Sequence, residues 1–252
     1  MIKKEKGIEY EVIKSKEKSK FNLIFVHGSG CNKNFLKALA ELFEEYNCYL
    51  IDLPGHGNSD NTGYNIDNYV KAISYLANKL SNVVLIGHSL GGTLVAKAAS
   101  LNLKSVKGVV ILNSGASYPV FDKNFMDKIR QGVVDEEYLI EACGHMDNKD
   151  VQEAVKSMDP AASCIVDFLI DDCVDISSSL KYVKIPTLIF GGKDEILVIP
   201  EYVKKLHKLI KKSKLIMLEK GRHMVCVAEK YKVKDIICDF INRKIANKNI
   251  SK

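Results

Sequence analysis

Four apolar residues, Val83-Val84-Leu85-Ile86, run without a break into Gly87-His88-Ser89-Leu90-Gly91-Gly92, and a helical pattern begins at once. This junction restricts the fold more than any other segment. The apolar run is short and lacks polar alternation, so it reads as a strand covered on both faces. A serine at the tip of so tight a strand-to-helix turn is held in a strained backbone conformation, and the glycines two positions before and after it keep neighbouring side chains away. Its hydroxyl then projects clear of the sheet, beside the unpaired N–H groups and positive dipole end of the helix.

The same alternation recurs along most of the chain. Short β-rich runs at residues 8–13, 22–27, 48–53, 83–87, 106–113, 186–191 and 214–218 are predicted strands. Between them, residues 34–45, 66–80, 90–100, 201–211 and 228–245 carry apolar side chains at three- and four-residue intervals and are predicted helices. One segment departs from the pattern. From 117 to 182 no strand is evident, but amphipathic stretches occur at 125–134, 136–143, 151–158 and 162–170. The expected architecture is therefore α/β: a mostly parallel central sheet of seven or eight strands flanked by helices. Residues 1–116 and 183–252 form its core, and a helical cap is inserted at 117–182.

Composition removes several other classes. A chain of 252 residues with 46% apolar residues has enough material for one globular domain without staples. Lys+Arg 37 against Asp+Glu 31 leaves +6, but only Arg130, Arg222 and Arg243 are arginine. Nucleic-acid readout favours clustered arginines and interleaved aromatics, so no nucleic-acid partner is expected. The lysines at 204, 205, 208, 211, 212 and 214 recur around Val203, Leu206 and Ile210 and read as a solvated helix face. A basic tail runs from Arg243 to Lys252. Seven cysteines form an odd set without CxxC or metal-ligand spacing, which points to free thiols in a reducing compartment. The N-terminus has no apolar segment behind its charges and no run approaches a membrane span, so no stable membrane insertion and a cytoplasmic location are expected.

A serine hydroxyl needs a base and a group that orients the base. Of six histidines, His27, His56 and His88 lie inside other motifs, His145 falls in the helical insertion and His207 lies on the lysine-rich face. His223 stands in Gly221-Arg222-His223-Met224, just after the last predicted strand, where open parallel sheets assemble their sites. Gly191-Gly192-Lys193-Asp194-Glu195 likewise follows a strand, and Asp194 is taken as the acid with Glu195 as its nearest competitor. The order Ser89, Asp194, His223 is the one used by hydrolases with a nucleophile elbow. For the negative charge of a tetrahedral intermediate, the backbone N–H groups of Leu90 and of Ser29, in His27-Gly28-Ser29-Gly30, are the candidates.

With these residues in place the chain resembles an α/β-hydrolase with a helical cap, of the carboxylesterase and lipase-like serine hydrolase type. The resemblance covers nearly the whole chain through His27-Gly-Ser-Gly, Asp52-Leu-Pro-Gly-His-Gly-Asn-Ser59, Gly87-His-Ser-Leu-Gly-Gly92, Gly191-Gly-Lys-Asp194 and Gly221-Arg-His223. It implies that the Asp52–Ser59 loop is structural, with His56 holding a turn. The N-terminal region offers one clear strand, 8–13, where the family has a hairpin.

The expected activity is cleavage of carboxylic esters of small or medium acyl groups through an acyl-enzyme, with a small-molecule ester as partner and neither metal nor organic cofactor. Thioesters, lactones and C–C bonds of β-diketone-like compounds are open to the same residues. A small-molecule receptor with an idle triad is the rival from another class. Phe121, Phe125, Met126, Ile129, Leu139, Phe168 and Leu169 are candidate acyl-pocket residues that helical spacing also fits to a local core. Cys31 lies beside the proposed oxyanion loop, so thiol alkylation is expected to inhibit by crowding.

Overall fold

A computed structural model of the chain describes residues 1–118, 121–158 and 163–246. The start of the stretch expected at 162–170 and the basic tail beyond residue 246 lie outside the described residues. In chain order the strands are β1 (Ile2–Glu5), β2 (Ile8–Ile13), β3 (Asn22–Val26), β4 (Asn47–Ile51), β5 (Val83–His88), β6 (Val106–Leu112), β7 (Thr187–Gly192) and β8 (Ser213–Leu218). They form one eight-stranded sheet in the order β1-β2-β4-β3-β5-β6-β7-β8. β1–β2 and β2–β4 are antiparallel, and every other neighbouring pair is parallel.

Helices on both faces explain the unbroken apolar strands. Along β3, Ile24 and Val26 join one core while Leu23 and Phe25 join the other; along β5, Val83 and Leu85 face opposite to Val84 and Ile86. The first core is covered by α2 (Ile66–Lys79), α3 (Leu90–Ser100) and, after the insertion, α9 (Pro200–Leu209). The second is covered by α1 (Lys37–Ala40), α10 (Val225–Ala228), α11 (Lys230–Phe240) and a closing π-helical turn, Ile241–Ala246. Lys204, Lys205 and Lys208 are exposed on α9 while Tyr202, Val203 and Leu206 are buried, as a solvated face requires.

The sheet has eight strands because residues 2–5 pair with β2 as a hairpin. β1 is exposed along most of its length, so no burial imprints alternation on it. The expected helix at 34–45 shrinks to the four residues of α1, and the expected helix at 228–245 is split at Glu229.

Between β6 and β7 the chain is helical: α4 (Lys123–Arg130), α5 (Glu136–Cys143), α6 (Lys149–Val155), α7 (Ser163–Cys173) and α8 (Ser177–Leu180). Asp122, Asp135 and Asn148 cap α4, α5 and α6 by accepting backbone N–H bonds. These helices have a small core of their own, including Phe125, Met126, Ile129 and Phe168. Among the described residues, no helix is long and apolar enough to cross a membrane.

Candidate active site

β3, β5, β6, β7 and β8 are successive parallel neighbours in the sheet, so the loops leaving their C-terminal ends gather at one edge. Ser89 follows β5 directly, with φ 54° and ψ −125°. That conformation is costly for a residue with a Cβ, and the surroundings hold it. Its N–H donates to the Leu112 carbonyl at 3.0 Å, and its own carbonyl accepts from Gly92 at 2.8 Å. A side chain on Gly87 would run into the Gly91 carbonyl, and one on Gly91 into the backbone of Val26 and His27. The glycines at these two positions are thus required by the closeness of the crossing chains.

Ser89 and His223 line the same cavity. The His223 Nδ1 lies 2.8 Å from Glu195 Oε2. Among the described residues, its Nε2 makes no hydrogen bond to protein. With Nδ1–H donating to a carboxylate, Nε2 is the nitrogen left to accept a proton.

The carboxylate that meets His223 is thus Glu195, not the expected Asp194. Asp194 is exposed, with its N–H donating to the Gly221 carbonyl at 3.2 Å, whereas Glu195 is 4% exposed. β7 runs through Gly192, and the chain then turns so that residue 194 points to solvent and residue 195 inward. Glu195 is held by the Asn113 amide at 3.0 Å and by the Leu197 N–H at 3.0 Å. Asn113 directly follows β6, and its hydrogen bond to Glu195 went unseen in the sequence because the two residues lie far apart in the chain.

His88, inside the Gly87–Gly92 motif, also contacts His223. Its Nε2 meets the His223 carbonyl at 2.9 Å, and the two rings lie 4.6 Å apart. A carbonyl accepts, so Nε2–H donates and the ring is neutral. Complete burial and the neighbouring His223 push the His88 pKa down to about 3. His88 thus holds the main chain of His223 without competing for its proton.

The Leu90 and Ser29 amides make no hydrogen bond to protein among the described residues. Leu90 opens α3, where N–H groups lack intrahelical partners. Ser29 lines the cavity, and its hydroxyl donates to Asp171 Oδ2 on α7 at 2.7 Å.

The cavity is small and apolar. Its volume is about 30 Å³, room for about two waters. Of the expected pocket residues, Leu139 and Phe168 line it. Phe125, Met126 and Ile129 pack into the core of the inserted helices, Phe121 stacks on Tyr118 and Leu169 is 38% exposed. Leu139, Cys143 and Met158 separate the cavity from a second apolar hollow of about 130 Å³ between α5 and α6.

The Asp52–Ser59 loop is tied down as a structural element. Asp52 accepts from the Lys33 N–H at 2.7 Å and from its ammonium at 2.8 Å. His56 holds its turn through Nδ1 to the Pro54 carbonyl at 3.1 Å and reaches Asp167 on α7 through Nε2 at 2.8 Å.

The chain is similar to known proteins. The pattern described as the alpha/beta hydrolase family matches residues 23–230. A lipase-esterase related protein from Clostridium acetobutylicum superimposes with a TM-score of 0.88 at 33% identity, over 93% of this chain and 100% of that one. A pimeloyl-[acyl-carrier protein] methyl ester esterase of Wigglesworthia glossinidia brevipalpis is 28% identical over 88% of this chain and 94% of its own. The esterase of that name from Shewanella woodyi is 38% identical, but the match spans only 39% of this chain and 37% of that protein.

Proposed function

The chain belongs to the alpha/beta hydrolase family, and from that premise we propose that it is a serine hydrolase of carboxylic esters with small or medium acyl groups. One observation carries the reading. A serine in a strained strand-to-helix turn lines the same cavity as an imidazole whose far nitrogen is already held by a buried carboxylate.

In this mechanism Ser89 Oγ attacks the ester carbonyl while His223 Nε2 takes its proton. Glu195 keeps the imidazole in the tautomer with Nδ1–H and steadies the imidazolium as it forms. The Ser29 and Leu90 amides receive the oxyanion, each donor being worth about 3–4 kcal/mol in the transition state. His223 returns the proton to the leaving alcohol, then activates water against the acyl-enzyme. No step requires a metal or an organic cofactor. The names of the two well-covered relatives, lipase-esterase related protein and methyl ester esterase, support esters as the substrate class. The small cavity supports a short acyl group, with longer chains admitted only where Leu139 or Met158 moves aside.

A fluorophosphonate probe tests the nucleophile: it labels the wild type at Ser89 and leaves Ser89→Ala unlabelled. Hydrolysis of p-nitrophenyl acetate is expected to exceed that of the octanoate ester. An unlabelled wild type that nevertheless binds esters would turn the reading to a receptor.

A further inference from the structure

Helix α7 carries Asp167 and Asp171 one turn apart, and both are buried. A helix that only packed against the core would place apolar residues there, because a buried carboxylate is costly unless its oxygens are matched. Asp167 is matched fully. Its Oδ2 accepts from the Gly30 N–H at 2.9 Å and meets His56 Nε2 at 2.8 Å, and its Oδ1 accepts from the Tyr69 hydroxyl at 2.7 Å. Asp171 has one partner, the Ser29 hydroxyl at 2.7 Å, and its Oδ1 is buried without one among the described residues. An oxygen left unsatisfied at such depth shows that packing alone did not select a carboxylate at 171.

Both acids reach the same four-residue loop. Gly30 adds a third point of contact, since a Cβ on it would lie 2.6 Å from the Cys164 Cβ at the start of α7. We propose that α7 is the positioning element for the oxyanion loop, with Asp171 acting through the Ser29 hydroxyl and Asp167 through the Gly30 N–H to aim the Ser29 amide into the cavity. This rests on the reading of Ser29 as an oxyanion donor. The inserted helices then do more than roof the cavity: they hold half of its charge-stabilising apparatus in place, and Asp167 and Asp171 touch no reacting atom.

The test is a double-mutant cycle on p-nitrophenyl acetate with Ser29→Ala, which keeps the amide and loses the hydroxyl, and Asp171→Ala. Each single change is expected to lower kcat roughly ten- to a hundredfold, a fraction of what losing an oxyanion donor costs, while KM moves less than about threefold. The double variant is no slower than the worse single one, because both remove the same tie. Asp171→Asn, which still accepts the Ser29 hydroxyl, restores most of kcat. Affinity for phenylboronic acid, whose adduct on Ser89 needs the same donor, falls in parallel with kcat.

A lowered melting temperature with unchanged kcat, or losses that multiply in the double variant, overturns the inference. Should Asp171→Ala fail to fold, Ser29→Ala must still lose kcat while Asp171→Asn keeps most of it, and a Ser29→Ala as active as the wild type overturns the inference. The two readings fail separately. Turnover surviving in Ser89→Ala removes the serine mechanism, whereas a dead Ser89→Ala beside a fully active Ser29→Ala removes only the role of α7.

Discussion

Two imidazole–carboxylate pairs are buried near the same edge of the sheet, and both measure 2.8 Å: His223 with Glu195, and His56 with Asp167. Their second nitrogens separate them. The other nitrogen of His56 meets the Pro54 carbonyl, so both ring nitrogens face acceptors and the ring carries two N–H bonds. Tyr64, Tyr69 and His27 pack around it with ring centroids 5.8, 5.7 and 5.0 Å away. Among the described residues, His223 leaves Nε2 without a protein partner in a cavity it shares with a strained serine. A carboxylate behind a histidine is therefore a poor mark of catalysis by itself; an unspent nitrogen beside a nucleophile is the better one.

The largest expected contrast is in turnover. Ser89→Ala and His223→Ala each lower kcat by about 10⁴-fold or more, whereas His56→Gln keeps at least about a tenth of it once folded protein is counted. Steady-state hydrolysis of p-nitrophenyl acetate, normalised to folded protein, measures both. Equal losses from His56 and His223 would erase the distinction.

Next is the choice of acid. Glu195→Gln disorders the tautomer and is expected to cost roughly 10³- to 10⁴-fold in kcat. Asp194→Asn changes an exposed side chain and is expected to stay within about twofold. The reverse ranking would restore Asp194.

Stability separates the pairs in the opposite sense. Removing His56 leaves Asp167 buried without its cation, a loss of about 3–5 kcal/mol in urea unfolding. Burial opposes the charge on His56, but the hydrogen bond and charge of Asp167 outweigh it and raise its pKa. A raised folded pKa means that the pair contributes fully below the unfolded value of about 6.5 and is lost as pH rises through the folded value. Wild-type stability should thus fall as pH rises above about 6, and part of that slope should vanish in His56→Gln. Burial also pushes the Asp171 carboxyl well up, which adds a slope of the same sign that the variant retains. Identical slopes for the two proteins would show that His56 is neutral.

The smallest effect concerns Cys31, which lines the cavity with Ser89 and His223. Expected from sequence to be open to alkylation, it is buried, and burial pushes its thiol well above the usual range. Iodoacetamide should modify the exposed Cys173 first, with little early loss of activity; mass spectrometry of timed samples reads the order.

How much of this was legible follows the range of the interactions. The β5–Ser89–α3 junction is written in ten consecutive residues, because apolar run, glycine spacing and helix start act locally. His223 was found by its place after β8. Glu195 and Asp194 are adjacent acids after one strand, and nothing local distinguishes them. Asn113, 82 residues away, helps to hold the inner one. Asp167 and Asp171 look like the solvated face of an amphipathic helix until Gly30 and Ser29, 137 and 142 residues distant, are brought against them.

The order of strands and helices, the strained serine and its imidazole were thus settled by short-range chemistry, where neighbouring residues alone restrict the backbone. Which acid meets the imidazole, which histidine has both ring nitrogens tied and which helix contacts Ser29 and Gly30 were decided in the folded chain. A carboxylate acquires its role from what lies across from it after burial, and distance along the chain carries no record of that.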